Sequence, residues 1–296
     1  MFVINYKNYF YLFSGVLLVI SIAAFFLFGF KPSLEFTGGS LLEIEYAGKV
    51  PSIQGIAQAL SQSSSKDVAA LKNITIQQTN PHTFLLRFGN VDEKTHQDIV
   101  QSLPGANERQ FQAIGPVIGS ELKQKTILGL ILAVLGMFLY VAIAFRKVPA
   151  RVRSWRMSLA AIGALIHDVV ITAGGFAIIA HYYGYDAGTL FIAAELTIWG
   201  YSINDTIVVF DRIRENLLRE GKKELALIAG ESINQTLTRS INTSFAVVLL
   251  LVVLLLLGPD QLLPFVSPLL VGVIIGTYSS ICIATPLLLE RFKVLT

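Results

Sequence analysis

The segment "GYSINDTIVVFDRIREN", residues 200–216, decides how the fold of this chain is interpreted, because it joins an apolar run to a charged one. The pattern is typical of a membrane helix that continues into a charged cytoplasmic segment, yet Asn204 and Asp205 lie inside the apolar run. A carboxylate at that depth is either a functional group of a membrane protein or a polar residue near a helix end. The choice between the two depends on the membrane topology of the whole chain.

The composition of the chain indicates a membrane protein. Its 296 residues are 53% hydrophobic and only 15% charged, with a mean hydropathy of +0.62. One soluble core does not normally bury this much apolar surface, so the composition predicts a protein of the lipid bilayer. The formal charge of +3 is small, and its placement in loops bears on orientation in the membrane rather than on nucleic-acid binding.

Six stretches are long and apolar enough to be membrane helices, since a crossing takes about 20 residues. They are residues 9–30, 126–145, 157–180, 187–210, 238–257 and 265–289. The first lacks a small-residue cleavage site after a short apolar core, which predicts a retained span rather than a signal peptide. The single cysteine, Cys282, lies in the last stretch and is expected to be a packing residue.

Basic residues alternate between the two sides of the predicted spans. The loop between the second and third spans contains five of them and no acid: Arg146, Lys147, Arg151, Arg153 and Arg156. The short loops at residues 181–186 and 258–264 contain no Lys or Arg. Basic loops stay on the cytoplasmic side, so both termini and a connection at about residues 211–237 are predicted to be cytoplasmic.

Residues 31–125 are predicted to form one external domain between the first span, residues 1–30, and a five-helix membrane region, residues 126–296. In "LLEIEY" at 41–46, alternate residues share one strand face, and residues 51–61 have helical spacing. Two further strands flanking "TNPH", a helix beginning at "DEKTH" and a last strand in "ERQFQAIGP" complete the pattern. The order β-α-β-β-α-β predicts an α+β ferredoxin-like domain, a fold that hosts many functions. We expect His82 and His96 to be solvated and not metal ligands.

Acidic residues inside the predicted spans are the candidate functional groups. Asp168 follows His167 near the middle of the third span, and Asp205 lies inside the cytoplasmic end of the fourth. A charge at such depth costs at least a few kcal/mol (order of magnitude) unless it is paired or lies in a polar cavity. The alternative is that Asn204 and these acids only bond neighbouring helices together, and this interpretation is favoured for Glu195, nearer the outer surface.

Arg239, at the start of the fifth span, is the expected counter-charge for a carboxylate on the cytoplasmic half of its neighbour. Alternatively, it extends to the lipid headgroups as a boundary residue. A carboxylate near a guanidinium in a partly hydrated site can load and release protons as water or its partner moves, and the arginine sets the field. Asp205, Arg239, Asn204 and Asp168 therefore form the candidate proton-coupling set.

Five stretches of the sequence together carry a family resemblance. They are "EFTGGS" at 35–40, "IGPVIGSELKQKT" at 114–126, "LIHDVVIT" at 165–172, the segment at 200–216 and "NQTLTRSINTSFAV" at 234–247. Over essentially its whole length the chain resembles the SecF branch of the SecD/SecF family. This resemblance implies half of an RND-like membrane assembly in the cell inner membrane. The half pairs with a SecD subunit, and the pair uses the proton motive force to help export polypeptides through the SecYEG channel.

The resemblance also assigns residues. It implies that the transmembrane aspartate of the family falls on Asp205 and its essential arginine on Arg239, with Phe36, Gly38 and Gly39 in an external turn motif. Glu195 is an extra acid, and residue 35 is Glu where the family usually has Asp.

Other function classes have less support. No cofactor, metal ion or nucleic acid is expected, and the protein is not expected to be an enzyme, because no G-x-S-x-G or H-E-x-x-H motif is present. The alternatives left open are a structural scaffold of the translocase and a subunit of an RND-type small-molecule exporter.

Overall fold

A computed structural model describes residues 2–48, 50–63, 65–69, 71, 74–146, 152, 154–220 and 223–293. Lys147, Arg151 and Arg153, on which the predicted orientation partly depends, lie outside these residues. The helices are α1 (Phe2–Asn5), α2 (Lys7–Phe28), α3 (Leu34–Thr37), α4 (Ile53–Ser61), α5 (Lys66–Ala69), α6 (Glu93–Gln101), α7 (Pro116–Ala144), α8 (Ser154–Tyr183), α9 (Thr189–Arg219), α10 (Leu225–Leu257), α11 (Leu263–Ser279) and α12 (Thr285–Lys293). A π-helical turn, Ser280–Ala284, joins α11 to α12, and a short 3₁₀ helix, Asp260–Leu262, precedes α11. The strands are β1 (Gly39–Tyr46), β2 (Thr75–Asn80), β3 (Thr83–Phe88) and β4 (Ala106–Ile114).

The chain divides into two compact units. Residues 1–30 and 129–296 form the helical unit, and residues 31–128 form the sheet unit.

Five helical stretches in the described residues are long and apolar enough to cross a membrane: Lys7–Phe28, Pro116–Ala144, Ser154–Tyr183, Leu225–Leu257 and Asp260–Glu290. They coincide with five of the six expected spans, so the chain is a multi-pass membrane protein. The remaining expected span lies in α9, which is 31 residues long but is not among the five. Its Glu195, Asn204 and Asp205 lower its hydropathy, and its crossing of the membrane stays a prediction.

The core of the helical unit is formed mainly by α8, α9, the first part of α10 and the π-helical turn, and a second cluster lies where α9, α10 and α11 meet. Small residues permit the close approach: Gly276 on α11 faces Ser202 on α9, and a Cβ atom on Gly276 would lie 3.1 Å from that of Ser202. By contrast, α2, α7 and α10 present large apolar side chains on their outer surfaces, such as Phe26, Leu132 and Leu256. This distribution suits a helix cluster whose centre is packed by protein and whose periphery contacts lipid.

Gly174 marks the contact of α8 with α2, and it allows a test of the packing. A Cβ atom at Gly174 would lie 2.4 Å from Ser21 Cα, whereas one at Gly175 would meet only Val271 Cγ1 at 3.6 Å. Overpacking costs about 1–3 kcal/mol, so Gly174→Ala should lower the thermal midpoint of the purified chain in detergent. Gly175→Ala is the matched control and should leave it near the wild-type value. Equal midpoints for the two variants would show that α2 does not pack on α8 in this way.

The sheet unit is a four-stranded antiparallel sheet in the order β2-β3-β1-β4. Leu42 and Ile44 of β1 share its buried face with Phe84 of β3, and helices α4 and α6 cover that face with Ile56 and Ile99. The predicted strand at 41–46, the β2–β3 hairpin and the two helices are confirmed. The apolar residues that repeat at strand spacing and those that repeat at helical spacing all face the same core.

Capping side chains fix where these two helices begin. The Ser52 hydroxyl accepts a hydrogen bond from the Gly55 amide at 3.1 Å, and Asp92 accepts one from the Thr95 amide at 3.0 Å. Hydrogen bonds from Thr95 hold the pKa of the Asp92 carboxyl below its usual value. Both caps satisfy amide groups that have no partner within the helix.

The turn between α3 and β1 requires glycine. Gly38 has φ 70° and Gly39 has φ 122°, in the region that side chains avoid. A Cβ atom at Gly38 would lie 2.9 Å from Pro116 Cα, and one at Gly39 would lie 2.8 Å from Phe88 O. Phe36, which the resemblance places in the same motif, lies in α3 and is half-buried.

One prediction for this unit is wrong. His82 is exposed as expected, but His96 is buried and stacks on Phe111, with ring centroids 3.7 Å apart and planes 4° apart. Its Nδ1 atom is 3.4 Å from Glu93 Oε1, and its Nε2 atom is 3.2 Å from Glu108 Oε2. His96 precedes the buried Ile99 by three residues, so the helical period turns it toward the sheet.

Candidate functional site

Asp205 connects three helical segments of the helical unit. It lies on α9, is 7% exposed, and accepts a hydrogen bond from Ser240 Oγ of α10 at 2.6 Å. Its second carboxylate oxygen accepts a hydrogen bond from Ser280, in the π-helical turn. A buried carboxylate is stable only with such donors, and here both come from other segments.

Arg239 does not fill the place that sequence reasoning gave it. No ion pair joins it to Asp205 among the described residues, and its side chain is exposed. Successive residues of a helix point about 100° apart, so once Ser240 faces Asp205, Arg239 must point elsewhere. Asn204, which precedes Asp205 on α9, is also exposed. The expected pairing is therefore not present in this structure, and the role of Arg239 stays a prediction.

Asp168, at the middle of α8, is fully buried and has three hydrogen-bond partners. His167 Nδ1 lies 2.9 Å from Oδ1, while Ser202 Oγ and Ser279 Oγ donate to Oδ2 at 2.5 and 2.7 Å. These partners come from α8, α9 and α11. Asp168 therefore has the same kind of environment as Asp205, and the two have neighbouring serines, Ser279 and Ser280, as donors.

The role of these serines as donors to the carboxylates was missed by sequence reasoning. Ser202 and Ser240 lie in the stretches at 200–216 and 234–247, where Asn204, Asp205 and Arg239 were singled out as the candidate groups. Ser279 and Ser280 form a polar pair inside the apolar sixth stretch, and this pair was the sequence feature that could have indicated them as site residues. Serines are common in membrane helices, where they usually bond to their own backbone, so the pair alone does not indicate a site.

A second string of hydroxyl groups lies beside Asp205. Tyr201 Oη donates to Ser244 Oγ at 2.7 Å, and Ser244 Oγ lies 2.6 Å from Thr277 Oγ1. The string joins α9, α10 and α11 without any charge. It is the kind of polar bonding between helices that the scaffold interpretation expects.

Glu195 is buried on α9, with 4% exposure. Its Oε2 atom accepts a hydrogen bond from Trp199 Nε1 at 3.3 Å, and its Oε1 atom has no hydrogen-bond partner among the described residues. The carboxyl group of Asp168 is close enough to that of Glu195 to interact with it electrostatically. No group of three His, Cys, Asp or Glu side chains in the described part of the chain is arranged to hold a metal ion.

The fold and the site define a multi-pass helical membrane protein that has two buried carboxylates bonded by hydroxyl groups. Two known family models match the sequence and identify the family within this class. Residues 95–293 match the family described as "Protein export membrane protein SecD/SecF, C-terminal", and residues 23–50 match the "SecD/SecF GG Motif". The chain belongs to the SecD/SecF family, on its SecF side, which confirms the resemblance.

Individual relatives agree with this assignment. The chain is 37% identical to a "Protein translocase subunit SecF" of Sebaldella termitidis, over 97% of this chain and 91% of that protein. It is 33% identical to a "Protein translocase subunit SecDF" of Brucella abortus, covering 92% of this chain but 34% of that one. The crystal structure of SecDF from Thermus thermophilus, "a translocon-associated membrane protein", superposes with a TM-score of 0.81 and 30% identity. That match covers 97% of this chain and 38% of the SecDF chain.

Proposed function

We propose that the chain pairs with a SecD subunit and uses the proton motive force to assist polypeptide export through SecYEG. In this proposal Asp205 is the carboxylate that takes up and releases the proton. The observation that carries it is the position of Asp205, buried on α9 and bonded by hydroxyl groups of two other segments. A change of charge at this residue alters the contacts of α9 with both segments at once.

We infer that α9 crosses the membrane as the fourth of six spans in an RND-like half. At about 1.5 Å per residue its 31 residues are long enough to cross. Its buried Glu195 and Asp205 bond to protein rather than face lipid, which lowers the cost of their burial. Both termini then lie on the cytoplasmic side of the inner membrane, and the sheet unit lies outside. The strand order β2-β3-β1-β4 supports a ferredoxin-like class for that unit.

The outer surface of α9 and α10 supports a partner in the membrane. Asn204 of α9 and Thr238, Arg239 and Asn242 of α10 are exposed polar residues. Polar and charged groups facing lipid are costly, so we infer that helices of the SecD subunit cover them. Arg239 then provides a fixed positive charge at the joint between the two halves, where the partner supplies further carboxylates. The SecDF chains, which combine both subunits, support this arrangement.

The proposed coupling follows from hydrogen-bond strength. A charged Asp205 holds Ser240 and Ser280 by charge-assisted bonds, which are about twice as strong as neutral ones. Protonation removes this advantage, α10 and the π-helical turn change their contacts, and the sheet unit moves against the exported polypeptide. Asp168 belongs to the same set, because its donors come from α9 and α11.

A structural scaffold is the second candidate, because the Tyr201–Ser244–Thr277 string bonds helices together without any charged group. Reconstitution separates the two. Liposomes containing SecYEG and this chain, with or without its SecD subunit, are given an export substrate and a proton gradient. We expect export to rise with the gradient only when both subunits are present. A scaffold raises export equally with and without the gradient, and gradient-driven cycling by this chain alone contradicts the proposed need for a partner.

A further inference from the structure

We propose that Ser279 and Ser280 form a hydroxyl latch, which holds the π-helical turn against α8 and α9 until both Asp168 and Asp205 are protonated. The latch deepens the proposed function, because it assigns positioning residues to the coupling and makes the switch depend on two protons. It rests on the proposed role of the carboxylates, and its test does not require export.

The two serines contact different helices although they are adjacent in the chain. Ser279 Oγ donates to Asp168 Oδ2 on α8 at 2.7 Å, and Ser280 Oγ donates to Asp205 Oδ2 on α9. Both serines are fully buried. Adjacent residues in a helix diverge by about 100°, so one short segment wedged between two helices can reach both. The peptide bond between the serines joins the two carboxylate sites mechanically.

Each serine also has a second acceptor on its own helix. Ser279 Oγ is 3.1 Å from Gly276 O, and Ser280 Oγ is 2.9 Å from Thr277 O. A serine hydroxyl has one hydrogen, so it donates either to the carboxylate or to the carbonyl oxygen. A charged carboxylate is the stronger acceptor, and a protonated one is itself a donor. Protonation therefore favours turning each hydroxyl back onto its own helix, which ends the charge-assisted bond from that serine to α8 or α9 and leaves at most a weaker neutral one.

The latch lies at an irregular place in the helix. Regular α-helix ends at Ser279, and residues Ser280–Ala284 form a π-helical turn before α12 begins. Such turns are rare and occur often at functional sites, because their looser hydrogen bonding allows rearrangement. Two charge-assisted bonds, at the last residue of α11 and the first residue of the turn, stabilise this turn against the regular helix. Neutralising only one carboxylate leaves the other bond, so release requires both.

The groups around the carboxylates set the conditions of the test. Asp168 is next to His167, lies near Glu195, and has Tyr278 beyond the His167 ring at a centroid distance of 6.4 Å. The hydrogen-bond partners of Asp205 in the described residues are the two serine hydroxyls, and Tyr201 belongs to the neighbouring string. A signal from acidification must therefore be assigned to Asp168 and Asp205 by variants.

The native cysteine reports on the latch. Cys282 is the sole cysteine of the sequence, lies inside the π-helical turn and is 8% exposed. Its alkylation by N-ethylmaleimide in the complex with the SecD subunit is read by mass spectrometry of the peptide that contains it. Each rate is divided by that of detergent-unfolded protein at the same pH, which removes the chemistry of the thiol. We expect the wild-type ratio to rise by about tenfold or more from mildly alkaline to mildly acidic buffer, since a bond to a charged group is worth at least that factor.

The double variant Ser279→Ala with Ser280→Ala should show a high ratio that no longer depends on pH. Ser267→Ala is the matched control, because Ser267 Oγ on α11 donates to its own helix at Leu263 O, 2.7 Å away. It should behave as wild type. Adding Asp168→Asn and Asp205→Asn to the serine pair should change nothing further, since bonds already lost cannot be lost again.

Two results overturn the latch. The first is an alkylation ratio of the serine double variant that is raised at every pH but keeps the wild-type pH dependence, which would make the serine pair only structural. A wild-type ratio that does not change with pH also contradicts it. The proposed function fails separately, when Asp205→Asn leaves gradient-driven export intact whatever the labelling shows.

Discussion

Replacing Asp205 with Asn is expected to abolish the part of polypeptide export that depends on the proton gradient. The amide keeps the size of the side chain and one acceptor oxygen, for either Ser240 or Ser280, and its NH2 group faces the other hydroxyl, so helix packing should be preserved. It removes the ionisable carboxyl group, and with it the charge-assisted bonds. The measurement is export into membrane vesicles with and without the gradient, alongside the yield of the assembled complex.

The matched control for this variant is Asp211→Asn on the same helix. Asp211 is exposed and pairs with Arg214 at 2.8 Å, so its loss should leave gradient-dependent export unchanged. Normal stimulation in the Asp205 variant removes the proposed mechanism. A low yield of complex, with coupling intact in what assembles, favours the scaffold instead.

Replacing both Gly38 and Gly39 with Ala is expected to disrupt the edge of the sheet unit where β1 begins. Each substitution forces a side chain into a backbone conformation that costs about 1–3 kcal/mol. Each Cβ also meets backbone, at Pro116 Cα or Phe88 O, which cannot move aside as a flexible side chain does. Amide hydrogen exchange of residues 39–46 in the full chain should become faster, because the pairing of β1 with β3 and β4 begins at this turn.

Gly115→Ala is the control for the glycine pair. Gly115 lies next to Pro116, but nothing lies within 4 Å of a Cβ atom placed there, so exchange should match wild type. Unchanged protection of β1 in the double variant would mean that neither the positive φ angles nor the close backbone contacts of the turn require glycine.

Much of the fold was predictable because it follows from apolar spacing. Leu42 and Ile44 alternate on β1, and Ile56 and Ile99 lie on helix faces, so local pattern and tertiary core agree. His96 shows the limit of this reasoning. It was assigned to the surface because histidine is polar, although its helical spacing from Ile99 places it on the buried face. The α9 helix shows another limit, because the polar groups that are its candidate functional residues also lower its hydropathy below that of a membrane span.

The candidate site was predictable only in part. Asp168 and Asp205 were singled out by their depth inside the predicted membrane spans, and both are buried. Their partners were not predictable, because a contact between helices depends on the rotation of each helix, and a shift of one residue changes the partner. Charge pointed to Arg239, but its neighbour Ser240 makes the contact. In the same way, the contacts of Ser279 and Ser280 depend on the π-helical turn, which no residue pattern predicts.

The central claim is that Asp205 changes its protonation inside the protein. Infrared difference spectroscopy of the assembled complex, between alkaline and acidic buffer, measures this directly through the carboxylic-acid C=O stretch. We predict that acidification of the wild type and of Asp211→Asn produces a protonated-carboxyl band that is missing in Asp205→Asn. A difference spectrum of Asp205→Asn identical to that of the wild type would contradict the account.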